Sequence, residues 1–98
     1  MEDLQPIDEA EIGILKQEAQ EAIKTRGINL GEFILVPVHY ENQIEHMWFR
    51  VVEMIELNNK EQRVQGILCN EPQVVKGIRM GDPRWIDMED IVSIGRWV

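Results

Sequence analysis

The hydrophobic period changes once along this chain, at Phe33, and that change restricts the fold more than any other feature. Before Phe33, apolar residues recur at spacings of three and four, which places them on one face of a helix. These residues are Ile12, Leu15, Ala19, Ala22 and Ile23. After Phe33, short β-branched and aromatic runs alternate with turn residues, a pattern typical of strands. The sequence therefore predicts an α+β domain with one amphipathic helix ahead of a sheet.

Both ends of this helix carry recognisable signals, and we predict a helix over residues 8–26. Asp8 is a good N-cap residue, Glu11 is placed to complete a capping box, and Ile7 is placed as a hydrophobic staple. Gly27 suits the left-handed position that follows a helix. The helix is expected to pack its apolar stripe against the sheet.

The remainder of the chain, residues 33–98, is predicted to form one compact β unit within a single domain spanning residues 1–98. Five short strands joined by tight turns indicate a small, strongly curved, mainly antiparallel five-stranded sheet or partly open barrel. Pro37 has no N–H to donate, so its strand is expected to lie at an edge or to contain a bulge. Gly66 predicts a bulge or a close backbone approach.

The first hairpin contains the best candidate for a metal site. If its tip is at residues 42–43, His39 and His46 face one another across the strands, with Glu41 or Glu45 as an oxygen ligand. The long second strand is expected to begin at His46. The spacing of these residues matches no metal motif, so we predict neither a metal nor a cofactor.

Composition narrows the class of protein and the choice of partner. The 98 residues carry a net charge of -8, which argues against binding to nucleic acid or to an anionic membrane. Cys69 is the only cysteine, so no intrachain disulfide is possible. The acidic N-terminus does not resemble a signal peptide, and no apolar run is long enough to span a bilayer. We expect a cytoplasmic protein whose partner, if any, is another protein, and whose oligomeric state is open.

No catalytic motif is present in the sequence. Ser93, the only serine, lies in an expected strand, and Cys69 lies in an apolar run. The glycines do not form a phosphate-binding loop. We therefore predict no catalytic residues and favour a protein without enzymatic activity.

Three tryptophans stand out among few aromatic residues. Tryptophan is common both in small cores and at binding hot spots. Trp85 is expected in the core. Trp48 lies on the opposite strand face from Met47 and is predicted to be a partly exposed groove residue, whereas Trp97 either caps the sheet or presents an exposed edge.

Four ordered segments resemble the YegJ-type family of bacterial domains of unknown function. They are EHMW at 45–48, GILCNEP at 66–72, GD at 81–82 and IGRW at 94–97. The resemblance covers about 33–97 and implies a helix ahead of a sheet and a bacterial or phage-like origin, but no activity or cofactor. Arg96 stands where the family has an acid. The resemblance indicates these candidate binding residues: Glu45, His46, Trp48, Asn70, Glu71, Pro72, Asp82 and Trp97.

The candidate residues have both a structural and a functional interpretation. Asn70 and Asp82 are able to bond their own turns, and Pro72 sets backbone angles. In the functional interpretation, the strand start at Glu45 and the loop from Asn70 to Pro72 converge on one shallow pocket around Trp48.

Three functions remain open at this point. The first is a non-enzymatic protein-binding, inhibitory or accessory module that uses Trp48 or the acidic helix face. The second is a small-molecule or metal-assisted enzyme in which Glu45 and His46 form an acid/base pair. The third is an inhibitor whose acidic surface mimics nucleic acid.

Overall fold

The computed structural model describes residues 9–57 and 62–95, which form one helix and a five-stranded sheet. A short 3₁₀ turn at Met88–Asp90 precedes the last strand. The elements in chain order are α1 Glu9–Arg26, β1 Phe33–Tyr40, β2 Gln43–Glu56, β3 Gln62–Leu68, β4 Pro83–Asp87 and β5 Ser93–Gly95. The α+β prediction is confirmed.

The helix ends where the sequence predicts. Gly27 has a φ of 75° and donates its N–H to the Ile23 carbonyl at 3.0 Å, as expected of a glycine that terminates a helix. Along the predicted stripe Ala19 is buried, and its four other members are half-buried. The predicted cap at Asp8 and staple at Ile7 lie outside the described residues.

The chain is also tied across the turn between the helix and the sheet. Arg26 donates two hydrogen bonds to the carboxylate of Glu32, at 2.9 and 3.0 Å. Glu32 is buried, and it also accepts the Asn29 N–H at 2.7 Å. A buried carboxylate is tolerated because it is paired and hydrogen-bonded.

The sheet is antiparallel and open, with the strand order β4-β3-β2-β1-β5. Its first hairpin differs from the prediction, because β2 begins at Gln43 rather than at His46 and only two residues make the turn. As a result His39 pairs with Ile44, and His46 pairs with Pro37. The two histidines share a face of the sheet but are not directly opposite, so the predicted facing pair is wrong.

The sheet is curved through its middle. The register between β2 and β3 shifts between Val51 and Glu53, where one extra residue makes a bulge. Opposite the bulge, a Cβ built on Gly66 would lie 2.7 Å from the Cβ of Phe49. Both features expected of Gly66, a bulge and a close approach, are therefore present. Through this bend, Val38 of β1 and Arg84 of β4 line one cavity although two strands separate them in the sheet.

Apolar residues are buried on both faces of the sheet. We call inner the face that carries Ile34, Phe49, Val64 and Ile86, and outer the face that carries Phe33, Leu35 and Trp48. The C-terminal half of α1 contributes to the inner core and its N-terminal half to the outer one. None of the helical residues within 9–57 and 62–95 forms a segment long and apolar enough to cross a membrane.

The predictions for two tryptophans are wrong, and in opposite directions. Trp48 is buried at 5% exposure, whereas Trp85 is 43% exposed. The outer face is covered by Ile12 and Leu15 of the helix only over β1 and the first part of β2. Trp85 lies on the same outer face but on the edge strand β4, which the helix does not cover.

Candidate functional site

The segment between β3 and β4 is a closed loop, referred to below as the 69–82 loop. At its neck the Leu68 N–H donates to the Asp82 carbonyl at 2.9 Å, and the Gly81 N–H donates to the Leu68 carbonyl at 2.8 Å. Its length and its closed neck are those of an Ω-loop. Val75 and Ile78 from this loop pack against the inner core. The loop therefore covers one end of the curved sheet.

Glu45 holds this loop in place. Its Oε1 accepts the N–H groups of Val74 at 2.9 Å and Val75 at 3.0 Å, and its Oε2 accepts the N–H of Gln73 at 2.9 Å. Partial burial is the largest single influence on the pKa of Glu45 and acts to raise it. The three N–H donors together outweigh burial, so the pKa of Glu45 lies below its ordinary value. The carboxylate is thus fully engaged by the backbone.

Two other predicted residues also hydrogen-bond the backbone. Asn70 Oδ1 accepts the N–H of Trp48, which extends the pairing of β2 past the end of β3. Asp82 Oδ2 accepts the Arg79 N–H at 2.9 Å inside the 69–82 loop. The structural interpretation is therefore confirmed for Asp82, which bonds its own turn, and is wrong for Asn70, which bonds the neighbouring strand β2 instead.

The rest of the predicted set does not gather into the expected pocket. Glu45 and the loop after Asn70 do converge, but the ring of Trp48 is buried, and its Nε1–H has no acceptor among the residues described. Pro72 and His46 are half-buried and Glu71 is exposed. Trp97 lies outside the described residues. A shallow pocket centred on an exposed Trp48 is therefore wrong.

A different concave site lies where the sheet fails to close. β1 is paired with β5 only over Phe33–Leu35, whereas its later residues are paired with β2 alone. Among residues 9–57 and 62–95, β4 is paired with β3 alone. These two free edges line two adjoining cavities of about 480 and 240 Å³, which we call the open-edge groove. Its lining includes Val38, His39, Lys76, Arg84 and Trp85.

The direction of the backbone groups on each edge follows from the register. The Leu35 carbonyl accepts the Val92 N–H, so it points away from β2. Because these directions alternate along a strand, the backbone groups of Pro37 and His39 also point away from β2. The N–H of Leu68 donates to the Asp82 carbonyl, so the backbone groups of Asp82 point toward β3. Because the directions alternate along β4, the groups of Pro83, Trp85 and Asp87 point away from β3.

A proline occupies an outward position on each of the two edges. Pro37 and Pro83 lack the N–H that would otherwise be left unpaired there. The expectation that Pro37 marks an edge is confirmed, since pairing with β5 stops at Leu35. The other outward positions, His39, Trp85 and Asp87, keep both an N–H and a carbonyl. The groove therefore offers backbone donors and acceptors on two sides.

The residues within 9–57 and 62–95 include no group of three or more His, Cys, Asp or Glu side chains placed to hold a metal. Cys69 is half-buried and its thiol donates to the Ile67 carbonyl at 3.3 Å. Burial is the main influence that raises the pKa of Cys69, so the thiolate, which is the nucleophilic form, is disfavoured. The surroundings of Cys69 therefore do not activate it as a nucleophile.

Sequence reasoning missed the main components of this groove, namely His39 as an edge residue, Lys76, Arg84 and exposed Trp85. The available signal was the pair of prolines. Pro37 lies inside a β-rich run and Pro83 begins one, and a proline at either position is typical of a strand edge that does not pair.

The chain was compared with known proteins at three levels. A family model described as an uncharacterised protein conserved in bacteria, DUF2314, matches residues 22–94. The match therefore includes the whole described sheet except the last residue of β5. No curated protein and no solved structure matches the chain.

Proposed function

This chain belongs to the DUF2314 family of uncharacterised bacterial proteins, and we propose that it is a non-enzymatic module that binds a partner protein. The binding site is the open-edge groove, and the bound element is an extended segment of the partner. Such a segment adds to a sheet edge through main-chain hydrogen bonds, while side-chain pockets select its sequence.

One observation carries this proposal: two unpaired strand edges line the same groove. An isolated edge is common and is usually protected against association. Here the edges of β1 and β4 share one concave space, with the N–H and carbonyl groups of His39 and Trp85 directed outward. The indole of Trp85 is exposed beside this edge, as suits a residue that anchors a partner.

The acid/base alternative has little support from the geometry. Both carboxylate oxygens of Glu45 accept backbone N–H groups, and its lowered pKa makes it a weak base that is already deprotonated at neutral pH. Efficient general acids and bases have a pKa near the working pH. The nucleic-acid mimic stays a prediction, since no specific contact among residues 9–57 and 62–95 favours it.

Selection from a library of displayed random peptides tests the proposal, with the unlabelled folded protein as bait. Selected peptides are then titrated into ¹⁵N-labelled protein. We expect the largest shift changes at the amides of His39 and Trp85, and small ones on the exposed helix face around Lys16. No enriched peptide, or shifts centred on the helix, would contradict the proposal.

Two finer assignments accompany this function. We place the protein in the cytoplasm, which the single, half-buried Cys69 supports. The YegJ-type resemblance also stays a prediction within the family assignment.

A further inference from the structure

We infer that the segment accepted by the open-edge groove is acidic, and that its carboxylates pair with Lys76 and Arg84. This inference rests on the proposed function and specifies the chemistry of the partner. It depends on where these two cations lie and on which hydrogen bonds and ion pairs the neighbouring acidic side chains already make.

Arg84 occupies an unusual position for a cation. It pairs with Gly66 on the inner face, two residues before the buried Ile86. Its side chain is exposed and lines both cavities of the groove. Gly66 has no side chain to meet it, and among the described residues no hydrogen bond or ion pair engages its guanidinium. Arg84 is thus an unpaired planar donor, a group well suited to a carboxylate.

Lys76, in the 69–82 loop, provides the second cation of the groove. It follows Val75, whose N–H is bonded to Glu45, and precedes Gly77, whose φ of 86° favours glycine. The backbone is therefore held by Glu45 on one side of Lys76 and turns at Gly77 on the other. Its ammonium group also lacks an ion pair within the described part of the chain, and it lines the same cavity as Arg84.

Among the described residues, the acidic side chains that line the groove form no ion pair with Lys76 or Arg84. Asp82 lines the larger cavity, but its Oδ2 is engaged by the Arg79 N–H. At the far end, Asp87 is paired with Arg63 at 2.7 Å, and Asp90 lines the smaller cavity. The larger cavity thus carries two cations, Lys76 and Arg84, against one carboxylate, Asp82, whereas the smaller cavity carries Asp87 and Asp90 beside Arg84. An acidic residue in the ligand is favoured only at the larger cavity, which also sets the direction of the segment.

The net charge of the whole protein is opposite in sign to the charge of Lys76 and Arg84. A net charge of -8 repels acidic ligands at long range, so the protein has no general affinity for them. An acidic preference in the groove therefore has to come from nearby cations. Preferential binding of an acidic segment would therefore not be explained by non-specific electrostatic attraction.

Matched peptides and matched variants test the inference together. The most enriched peptide from the library is synthesised with its acidic residues intact and with each of them replaced by the corresponding amide. Both peptides are titrated by fluorescence anisotropy against the wild type, Lys76→Gln, Arg84→Gln and, as a control, Lys16→Gln. Lys16 is exposed on the helix and lines neither cavity of the groove, so its change removes the same charge outside the groove.

We expect the amide peptide to bind about tenfold more weakly than the acidic one, a loss of about 1.4 kcal/mol. Lys76→Gln and Arg84→Gln should each weaken the acidic peptide several-fold and leave the amide peptide unchanged, whereas Lys16→Gln should change neither. Equal binding of both peptides, with shifts still at His39 and Trp85, overturns the inference but not the proposed function. Failure of any peptide to reach the groove overturns both. Dimerisation that protects His39 also overturns both, because it assigns the groove to a second copy.

Discussion

The 69–82 loop should depend on one carboxylate, and replacing Glu45 by Gln tests this dependence directly. The amide keeps one acceptor oxygen but places an NH₂ donor where the other oxygen accepted a backbone N–H. It also removes the charge that strengthens all three bonds. We therefore expect local loosening of the loop without loss of the fold.

The expected loss in the free energy of unfolding follows from how exposed each of the three hydrogen bonds to Glu45 is. Those to Gln73 and Val74 are exposed, so water replaces them at a cost of about 0.5 kcal/mol each. The bond to Val75 is partly buried, and weakening it costs about 1 kcal/mol. The free energy of unfolding should fall by about 1 to 2 kcal/mol. Glu53→Gln is the matched control, since Glu53 is exposed on the same strand.

Amide hydrogen exchange followed by NMR is the suitable assay, combined with urea denaturation. Glu45→Gln should raise the exchange rate at residues 73–75 by more than the fall in the free energy of unfolding accounts for, whereas the rate at core amides such as that of Phe49 should rise only in line with that fall. Unchanged exchange at those three amides would refute the anchoring role of Glu45. So would an equal effect from Glu53→Gln.

The same carboxylate sets a pH dependence. Its native pKa lies below the ordinary glutamate value of about 4.3, so the folded state favours the deprotonated form. This stabilisation is complete above the ordinary value and is lost as the pH falls through the lowered native pKa. In urea denaturation at graded pH, Glu45→Gln should therefore lose less stability than the wild type across that window.

Five further substitutions test the packing and one buried ion pair. Gly66→Ala should destabilise by about 1 to 3 kcal/mol, because the new methyl group overlaps a core side chain, whereas Gly13→Ala meets nothing within 4 Å and should stabilise the helix by up to about 1 kcal/mol. Arg26→Ala should cost about 1 to 3 kcal/mol in chemical denaturation, since it leaves a buried carboxylate without its cation. Trp48→Ala should cost about 3 to 5 kcal/mol. Trp85→Ala should cost under about 1 kcal/mol, and equal losses for the two tryptophans would contradict their assigned burial.

The helix and the class of the fold were predictable because their signals are local. Spacing of three and four and a terminal glycine report on a single element, and so Gly27 was assigned correctly. Gly66 was also readable, since a glycine inside a strand run has few explanations other than a bulge or close contact. Pro37 predicted an edge for an equally local reason, its missing N–H.

The site was harder to predict because it depends on pairing between distant segments. A shift of the hairpin start to Gln43 was enough to move His46 away from the position opposite His39. The burial of Trp48 depends on where the helix crosses the outer face, which alternation along β2 does not specify. Asp82 was correctly predicted to bond its own turn, whereas the bond from Trp48 to Asn70 joins two segments distant in sequence and was not predicted. That Glu45 anchors the loop becomes visible only once the 69–82 loop has been placed.

The most direct test of the open-edge groove is amide exchange along the two edges, in the free protein and with a selected peptide bound. In the free protein, the outward amides of His39 and Trp85 should exchange quickly, whereas those of Val38 and Arg84, which face β2 and β3, should be protected. Bound peptide should protect His39 and Trp85 selectively. Protection of both amides in the free protein, or no added protection when the peptide is bound, would contradict an open groove that accepts an extended segment.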